Sequence, residues 1–112
     1  MGIFSLTQEI AMDLGTANTV IIHNDKIVVD QPSVVALDKR SEKLEAIGVY
    51  AAQMRGKENP NIYTVRPLRD GVIADFHAAE LLIRGLIKMI PNKGHIFTPS
   101  LRMVIGIPSG ST

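Results

Sequence analysis

Alternating apolar and polar positions near the start of the chain predict three short strands. The first apolar segment ends near Leu14, and the next two cover residues 19–23 and 26–30. The last two segments are separated by Asn24-Asp25, and both residue types tolerate the positive φ angles of a two-residue hairpin connection. We therefore expect an antiparallel meander, with His23 facing solvent at a strand end.

The pattern changes at Gln31-Pro32, because proline has no N–H group to donate to a β-ladder. Residues 33–37 and 44–47 predict two further strands around a charged turn, and residues 49–55 have helical composition. Residues 57–64 are polar and rich in turn-forming residue types. We interpret this middle block as a small unit inserted between the meander and the segments that follow.

A longer helix is predicted from residue 76 to about residue 90. Asp70-Gly71 indicates a turn before it, and Asp75 is well placed as its N-cap. The apolar positions step by three and four, and they are Phe76, Ala79, Ile83, Leu86 and Ile90. The opposite face carries His77, Glu80, Arg84 and Lys88, with Glu80 four residues before Arg84, which is the favourable order for an ion pair. We interpret this helix as a packing element with a solvated polar face.

The last third of the chain predicts a loop and a buried strand. The loop of residues 91–100 is polar and basic apart from Ile96-Phe97, for which membrane insertion and packing under a neighbouring strand are equally open. Residues 101–107 form a near-continuous apolar run, typical of a strand that is buried on both faces of a layered α/β domain. Such a strand needs helices on both sides, so we expect the chain to be part of a larger protein.

Composition narrows the class of protein. The chain has no cysteine, which excludes disulfides and thiolate metal sites, and no apolar run is long enough to span a bilayer. The net charge of +1 argues against a dedicated nucleic-acid binder. After Glu80 every charged residue is basic, a distribution that suits a phosphate-rich partner or an anionic membrane surface.

The clearest candidate chemistry lies in residues 13–19 (DLGTANT), between the first two predicted strands. Gly15 lets the backbone turn and lets a ligand approach closely, and small polar side chains with the N–H groups of a turn suit an oxyanion. A single carboxylate, Asp13, suits a metal ion held directly or through its waters. An ordinary tight turn uses the same residue types, so the residues alone leave both interpretations open.

Three motifs in register carry a resemblance to a known family. Residues 13–19, 66–76 (RPLRDGVIADF) and 105–110 (IGIPSG) together resemble the MreB family, the bacterial actin homologues that determine cell shape. The first motif is also similar to the first phosphate loop of the wider actin, Hsp70 and sugar-kinase superfamily, and residues 32–36 (PSVVA) are similar to its Hsp70 and bacterial-actin continuation. The resemblance covers essentially the whole chain in colinear order.

This resemblance implies an α/β fold, namely part of an actin-like (RNase H-like) domain I with a mixed sheet and helices. Residues 1–31 would form the first part of subdomain IA, and residues 32–60 would form the small inserted subdomain IB. Residues 61–112 would continue subdomain IA.

The resemblance also implies a function, which is ATP-dependent assembly into filaments that guide cell-wall synthesis. Such a protein would be cytoplasmic and peripheral at the inner face of the cytoplasmic membrane, with cell-wall synthesis and shape proteins as partners and no nucleic acid. The implied phosphate contacts of ATP are Gly15, Thr16, Ala17 and Asn18, the residue organising Mg²⁺ and its waters is Asp13, and the membrane contacts are Ile96 and Phe97.

In this family the second phosphate loop, the water-positioning acid and the adenosine pocket would follow Thr112. ATPase activity is therefore implied for a full-length member, whereas these 112 residues are expected to bind ATP very weakly and to hydrolyse none. Two alternatives remain, a fragment of the nucleotide-binding domain of an Hsp70-like chaperone and a non-catalytic interaction fragment without a ligand.

Overall fold

The computed structural model describes residues 8–55, 60–91 and 101–106, and the side chains of residues 10–55 and 60–91. In chain order the elements are β1 (Gln8–Leu14), β2 (Asn18–His23), β3 (Lys26–Pro32), β4 (Val35–Asp38), β5 (Leu44–Ile47), α1 (Gly48–Met54), β6 (Ile62–Val65), β7 (Leu68–Arg69), β8 (Val72–Ile73), α2 (Phe76–Lys88) and β9 (Leu101–Gly106).

The first sheet has the strand order β3-β2-β1-β9 and is mixed. Strands β1, β2 and β3 form the predicted antiparallel meander, whereas β9 runs parallel to β1. Asn24 and Asp25 have φ angles of 52° and 63°, as a primed two-residue hairpin turn requires. β3 continues two residues beyond its predicted end to Pro32, which is tolerated because β3 is an edge strand in this order.

The second sheet has the order β5-β4-β6 and is antiparallel. Residues 57–64 were interpreted as turn-rich, and for the part of this stretch inside β6 that interpretation is wrong. Ile62 and Tyr63 pair with Asp38 and Leu37 of β4, and this non-local ladder overrides the polar residues around them. α1 packs on this sheet through the buried Ala51.

The charged turn between β4 and β5 has the structure that its residues predict. The N–H groups of Ser41 and Arg40 donate to the carboxylate of Asp38 over 3.0 and 2.8 Å. These two hydrogen bonds stabilise the ionised form and hold the pKa of Asp38 below its usual value. The side chain therefore closes an Asx-type turn.

The N-cap prediction for α2 is confirmed, because Asp75 Oδ1 accepts a hydrogen bond from the N–H of Ala78 at 2.9 Å. The predicted apolar stripe is wrong at Phe76, whose side chain is 76% exposed. The buried positions are Ala78, Ala79, Leu82, Leu86 and Ile90. At 100° per residue around the helix axis, Phe76 lies to one side of the direction in which these buried residues point. The exposed Glu80–Arg84 pair forms as predicted, at 2.8 Å, and contributes little to stability.

The main core joins the two larger sheets, the two-stranded β7–β8 sheet and α2. Its fully buried side chains come from β1, β2, β4, β7 and α2, and include Ile10, Met12, Leu14, Ile21, Val35, Leu68, Leu82 and Leu86. No helix in the described ranges is long and apolar enough to cross a membrane. The structure does not test the predicted subdomain bounds, which stay predictions.

His23 differs from its prediction as a solvent-facing residue. Its side chain is half-buried, and Nε2 is buried with no hydrogen-bond partner among the residues that the structure describes. The cause is the register of the meander, which places His23 opposite Ile10 on β1.

Candidate functional site

The candidate site centres on the β1–β2 loop, which comprises residues 15–17 and leads into Asn18 at the start of β2. The loop is narrow because Leu14 and Thr19 already form a Cα pair on either side of it. A Cβ atom at Gly15 would overlap the backbone carbonyl oxygen of Asn18. Glycine is therefore required at this position by a close approach of the backbone to itself.

A buried serine holds the loop from beneath. Ser33 Oγ donates to the carbonyl oxygen of Gly15 at 2.6 Å. The N–H of Ser33 donates to the carbonyl oxygen of Ala17 at 2.9 Å. Thr19 Oγ1 lies 2.7 Å from Ser33 Oγ, and it is the donor because the single proton of Ser33 is already used. Ser33 and Thr19 are both 0% exposed.

These contacts leave the loop with a distinct polarity. The carbonyl groups of Gly15 and Ala17 face Ser33. Among the described residues none accepts a hydrogen bond from the N–H groups of Gly15, Thr16 or Ala17. Successive backbone N–H groups without a protein acceptor are the usual donors of an oxyanion site in a turn.

The side chains of Thr16 and Asn18 already have protein partners. The N–H of Gly71 donates to Thr16 Oγ1 at 3.1 Å, so the β7–β8 turn is tied to the loop, and the hydroxyl of Thr16 retains its own proton as a donor. Asn18 Nδ2 donates to Asp30 Oδ1 at 3.3 Å on the surface. The predicted phosphate ligands are thus brought together, with two of their side chains anchored.

Asp13 stands near the end of β1 on the exposed side of the strand, between Val20 of β2 and Gly106 of β9. Within the described ranges, no group of three or more acidic or histidine side chains could hold a metal ion by itself. A lone carboxylate suits Mg²⁺, which keeps several waters and is commonly held by one or two carboxylates together with phosphates. Asp13 therefore fits an ion that arrives with a phosphate ligand.

Beside the loop lies a pocket of about 470 Å³, which we call the arginine pocket. It is lined by Thr16, Arg55, Thr64, Arg66, Leu68, Arg69 and Asp70. Sequence reasoning selected residues 66–76 as a motif but assigned no role to its arginines, and it missed Ser33 as the support of the loop. The signal for Ser33 was present, since it is a polar residue at the start of an apolar run. The predicted membrane contacts Ile96 and Phe97 lie outside the described residues.

Comparisons with known proteins identify the family. A sequence model of the MreB/Mbl protein family matches residues 7–112. The chain is 44% identical over 106 residues to the cell shape-determining protein Mbl of Bacillus subtilis, covering 94% of this chain and 31% of that protein. It is 38% identical over 116 residues to the cell shape-determining protein MreB of Escherichia coli K12, covering 99% of this chain and 33% of that protein.

Solved structures agree with these relatives. The crystal structure of MreB5 of Spiroplasma citri bound to AMPPNP matches with a TM-score of 0.77 and 32% identity, over 96% of this chain and 32% of that one. The MamK double helical filament matches with a TM-score of 0.66 at 22% identity, over 95% of this chain and 34% of that one, which shows a shared fold alone.

The chain spans about a third of the length of the curated relatives that it matches. The predicted actin-like fold is confirmed, and the Hsp70-like alternative is not favoured. On the strength of a family match over nearly its whole length, the chain belongs to the MreB/Mbl family of bacterial actin homologues.

Proposed function

We propose that this chain supplies the first phosphate-binding loop of an ATP site in a cell-shape-determining bacterial actin homologue. The observation that carries the proposal is the β1–β2 loop: the carbonyl groups of Gly15 and Ala17 accept from Ser33, while the N–H groups of the loop have no acceptor among the described residues. Family membership supports the choice of nucleotide, since MreB5 of Spiroplasma citri is described with AMPPNP and with ADP bound.

In this proposal the N–H groups of Gly15, Thr16 and Ala17 donate to phosphate oxygens. The hydroxyl of Thr16 adds a further donor, because it accepts from Gly71 but keeps its own proton. Asp13 orients the waters of Mg²⁺, which neutralises phosphate charge when bound. Asn18 supports the loop through its bond to Asp30 and is the fourth proposed phosphate contact.

We expect the isolated chain to bind Mg-ATP with millimolar affinity, because one loop offers only a few hydrogen bonds of about 0.5–1.5 kcal/mol each. Millimolar binding corresponds to about 4 kcal/mol. An NMR titration should shift the amide signals of Gly15, Thr16 and Ala17. In Asp13→Asn the Mg²⁺ dependence of these shifts should disappear, whereas Asp25→Asn, in the exposed β2–β3 turn, should behave as the wild type.

Two results of this titration would contradict the proposal. One is the absence of amide shifts in the loop at nucleotide concentrations well above millimolar. The other is an identical Mg²⁺ response in Asp13→Asn and the wild type. Micromolar affinity would instead contradict the interpretation of the loop as one half of a divided site.

We further propose that the full-length protein self-associates into filaments at the inner face of the cytoplasmic membrane and works with cell-wall synthesis and shape proteins. Family membership supports this role, and Ile96-Phe97 are the proposed membrane contacts. In a chain of the family's full length, Mg-ATP should produce filaments that sediment on centrifugation. The protein should also co-sediment with anionic liposomes. Replacing Ile96 and Phe97 by Ser should lower liposome binding and leave pelleting without lipid intact. Unchanged lipid pelleting of the double variant would remove this loop from the proposal.

A further inference from the structure

The arginine pocket is built by several separate parts of the chain. Arg55 stands at the C-cap of α1, Thr64 lies on β6, Arg66 precedes β7 and Arg69 lies on β7. Its volume of about 470 Å³ lies within the range of small-molecule sites and exceeds what a single phosphate group needs.

The charges in this pocket are strongly unbalanced. Three arginines line it together with one acidic residue, Asp70. Arg84–Glu80 is an ion pair on α2, away from the pocket, and among the described residues no carboxylate lies within 4.0 Å of the three pocket arginines. Cations that converge on a concave surface repel one another and raise the local concentration of anions.

We propose that the arginine pocket binds a diphosphate group, at a site that adjoins the phosphate loop and shares Thr16 with it. A guanidinium presents a planar fork that matches two oxygens of a phosphate, and three such forks need an anion with many oxygens. A carboxylate has two oxygens and one charge, so it satisfies a single fork and leaves the others unpaired. Thr64 also lines the pocket, and its hydroxyl group can add a neutral donor.

The pocket is coupled to the loop through Thr16, which belongs to both. The N–H of Gly71 donates to Thr16 Oγ1, and Gly71 directly follows Asp70, which lines the pocket. A ligand that draws Asp70 or Thr16 towards the arginines therefore acts on the position of the loop. Because coupling between two sites is reciprocal, occupation of the loop changes the affinity of the pocket by the same factor.

Inorganic pyrophosphate without Mg²⁺ is the probe, followed by NMR on the whole 112-residue chain. We expect shifts at residues 64, 66, 69 and 70 and an affinity that falls with added salt, because the guanidinium groups are exposed. The double variant Arg66→Gln, Arg69→Gln should weaken binding by about tenfold or more. The double variant Lys39→Gln, Arg40→Gln, in the exposed β4–β5 turn, removes the same number of charges; it is the matched control and should bind as the wild type.

Asp70→Asn supplies a test in the opposite direction. It removes the only carboxylate among the lining residues and keeps a residue type that tolerates the φ of 54° at this position, so it should bind pyrophosphate more tightly. Equal loss in the turn variant Lys39→Gln, Arg40→Gln and the pocket variant Arg66→Gln, Arg69→Gln, or weaker binding in Asp70→Asn, would overturn the proposal.

Two further experiments distinguish binding in the arginine pocket from binding at the nucleotide site. Asp13→Asn should keep its pyrophosphate affinity while losing the Mg²⁺-dependent response of the loop, so either site can fail without the other. ADP without Mg²⁺ distinguishes the source of the ligand. Pocket shifts with pyrophosphate alone identify a free diphosphate, and shifts with both identify a diphosphate carried on a larger molecule as well. Pocket shifts with neither overturn the proposal.

Discussion

Gly15→Val is expected to abolish phosphate binding by the β1–β2 loop and to lower the free energy of unfolding by about 1–3 kcal/mol. A Cβ at this position overlaps the carbonyl oxygen of Asn18, which is backbone and cannot swing aside as a flexible side chain does. The loop must therefore open. Opening it moves the N–H groups of Thr16 and Ala17 away from the common direction that an oxyanion requires.

Ala11→Val is the control, because it adds bulk at an exposed position of β1 outside the loop. Chemical denaturation measures the change in stability, and the Mg-ATP titration by NMR measures loop binding. The control should keep both values close to those of the wild type. Equal behaviour of the two variants would show that the close approach at Gly15 does not determine the loop conformation.

Ser33→Ala is expected to lower the free energy of unfolding by about 1–3 kcal/mol, because it leaves hydrogen-bonding groups without partners in a buried site. The Gly15 carbonyl loses its 2.6 Å donor, and Thr19 Oγ1 loses the acceptor at 2.7 Å. The backbone bond from Ser33 N to Ala17 remains, so the fold should persist with a looser loop. Mg-ATP binding should weaken in proportion to that loosening.

Ser41→Ala is the control for this variant, since the interactions of the Ser41 hydroxyl are exposed: it accepts from Lys43 N at 3.2 Å and hydrogen-bonds the carboxylate of Asp38. A double-mutant cycle with Thr19→Val sharpens the test. If the Ser33–Thr19 bond carries the cost, the double variant loses less stability than the sum of the two single variants. Strict additivity would mean that the two hydroxyl groups act independently.

Local signals predicted much of the fold correctly. Asn24-Asp25 and Asp70-Gly71 form turns with positive φ, and Asp75 caps α2. These features depend on residues within a few positions of one another, so their physical causes are visible in the sequence. The same is true of the narrow loop at Gly15, where a small residue between two strands indicates a close approach.

The failures have a common cause in contacts between distant parts of the chain. β6 forms because it pairs with β4 in a β-ladder. Phe76 is exposed because the core packs against the face of α2 that carries Leu82 and Leu86. His23 is half-buried because of its register with Ile10. In each case the residue types permitted more than one outcome, and the pairing of elements selected one.

For the candidate site, the sequence by itself determined which residues form the loop and which carboxylate accompanies them. Only the tertiary structure decided what holds the loop and what lies beside it. Ser33 bonds to Gly15 across 18 positions, and Gly71 bonds to Thr16 across 55. Contacts at such separations depend on how the sheets and hairpins pack against each other. A pattern of neighbouring residues does not indicate that packing.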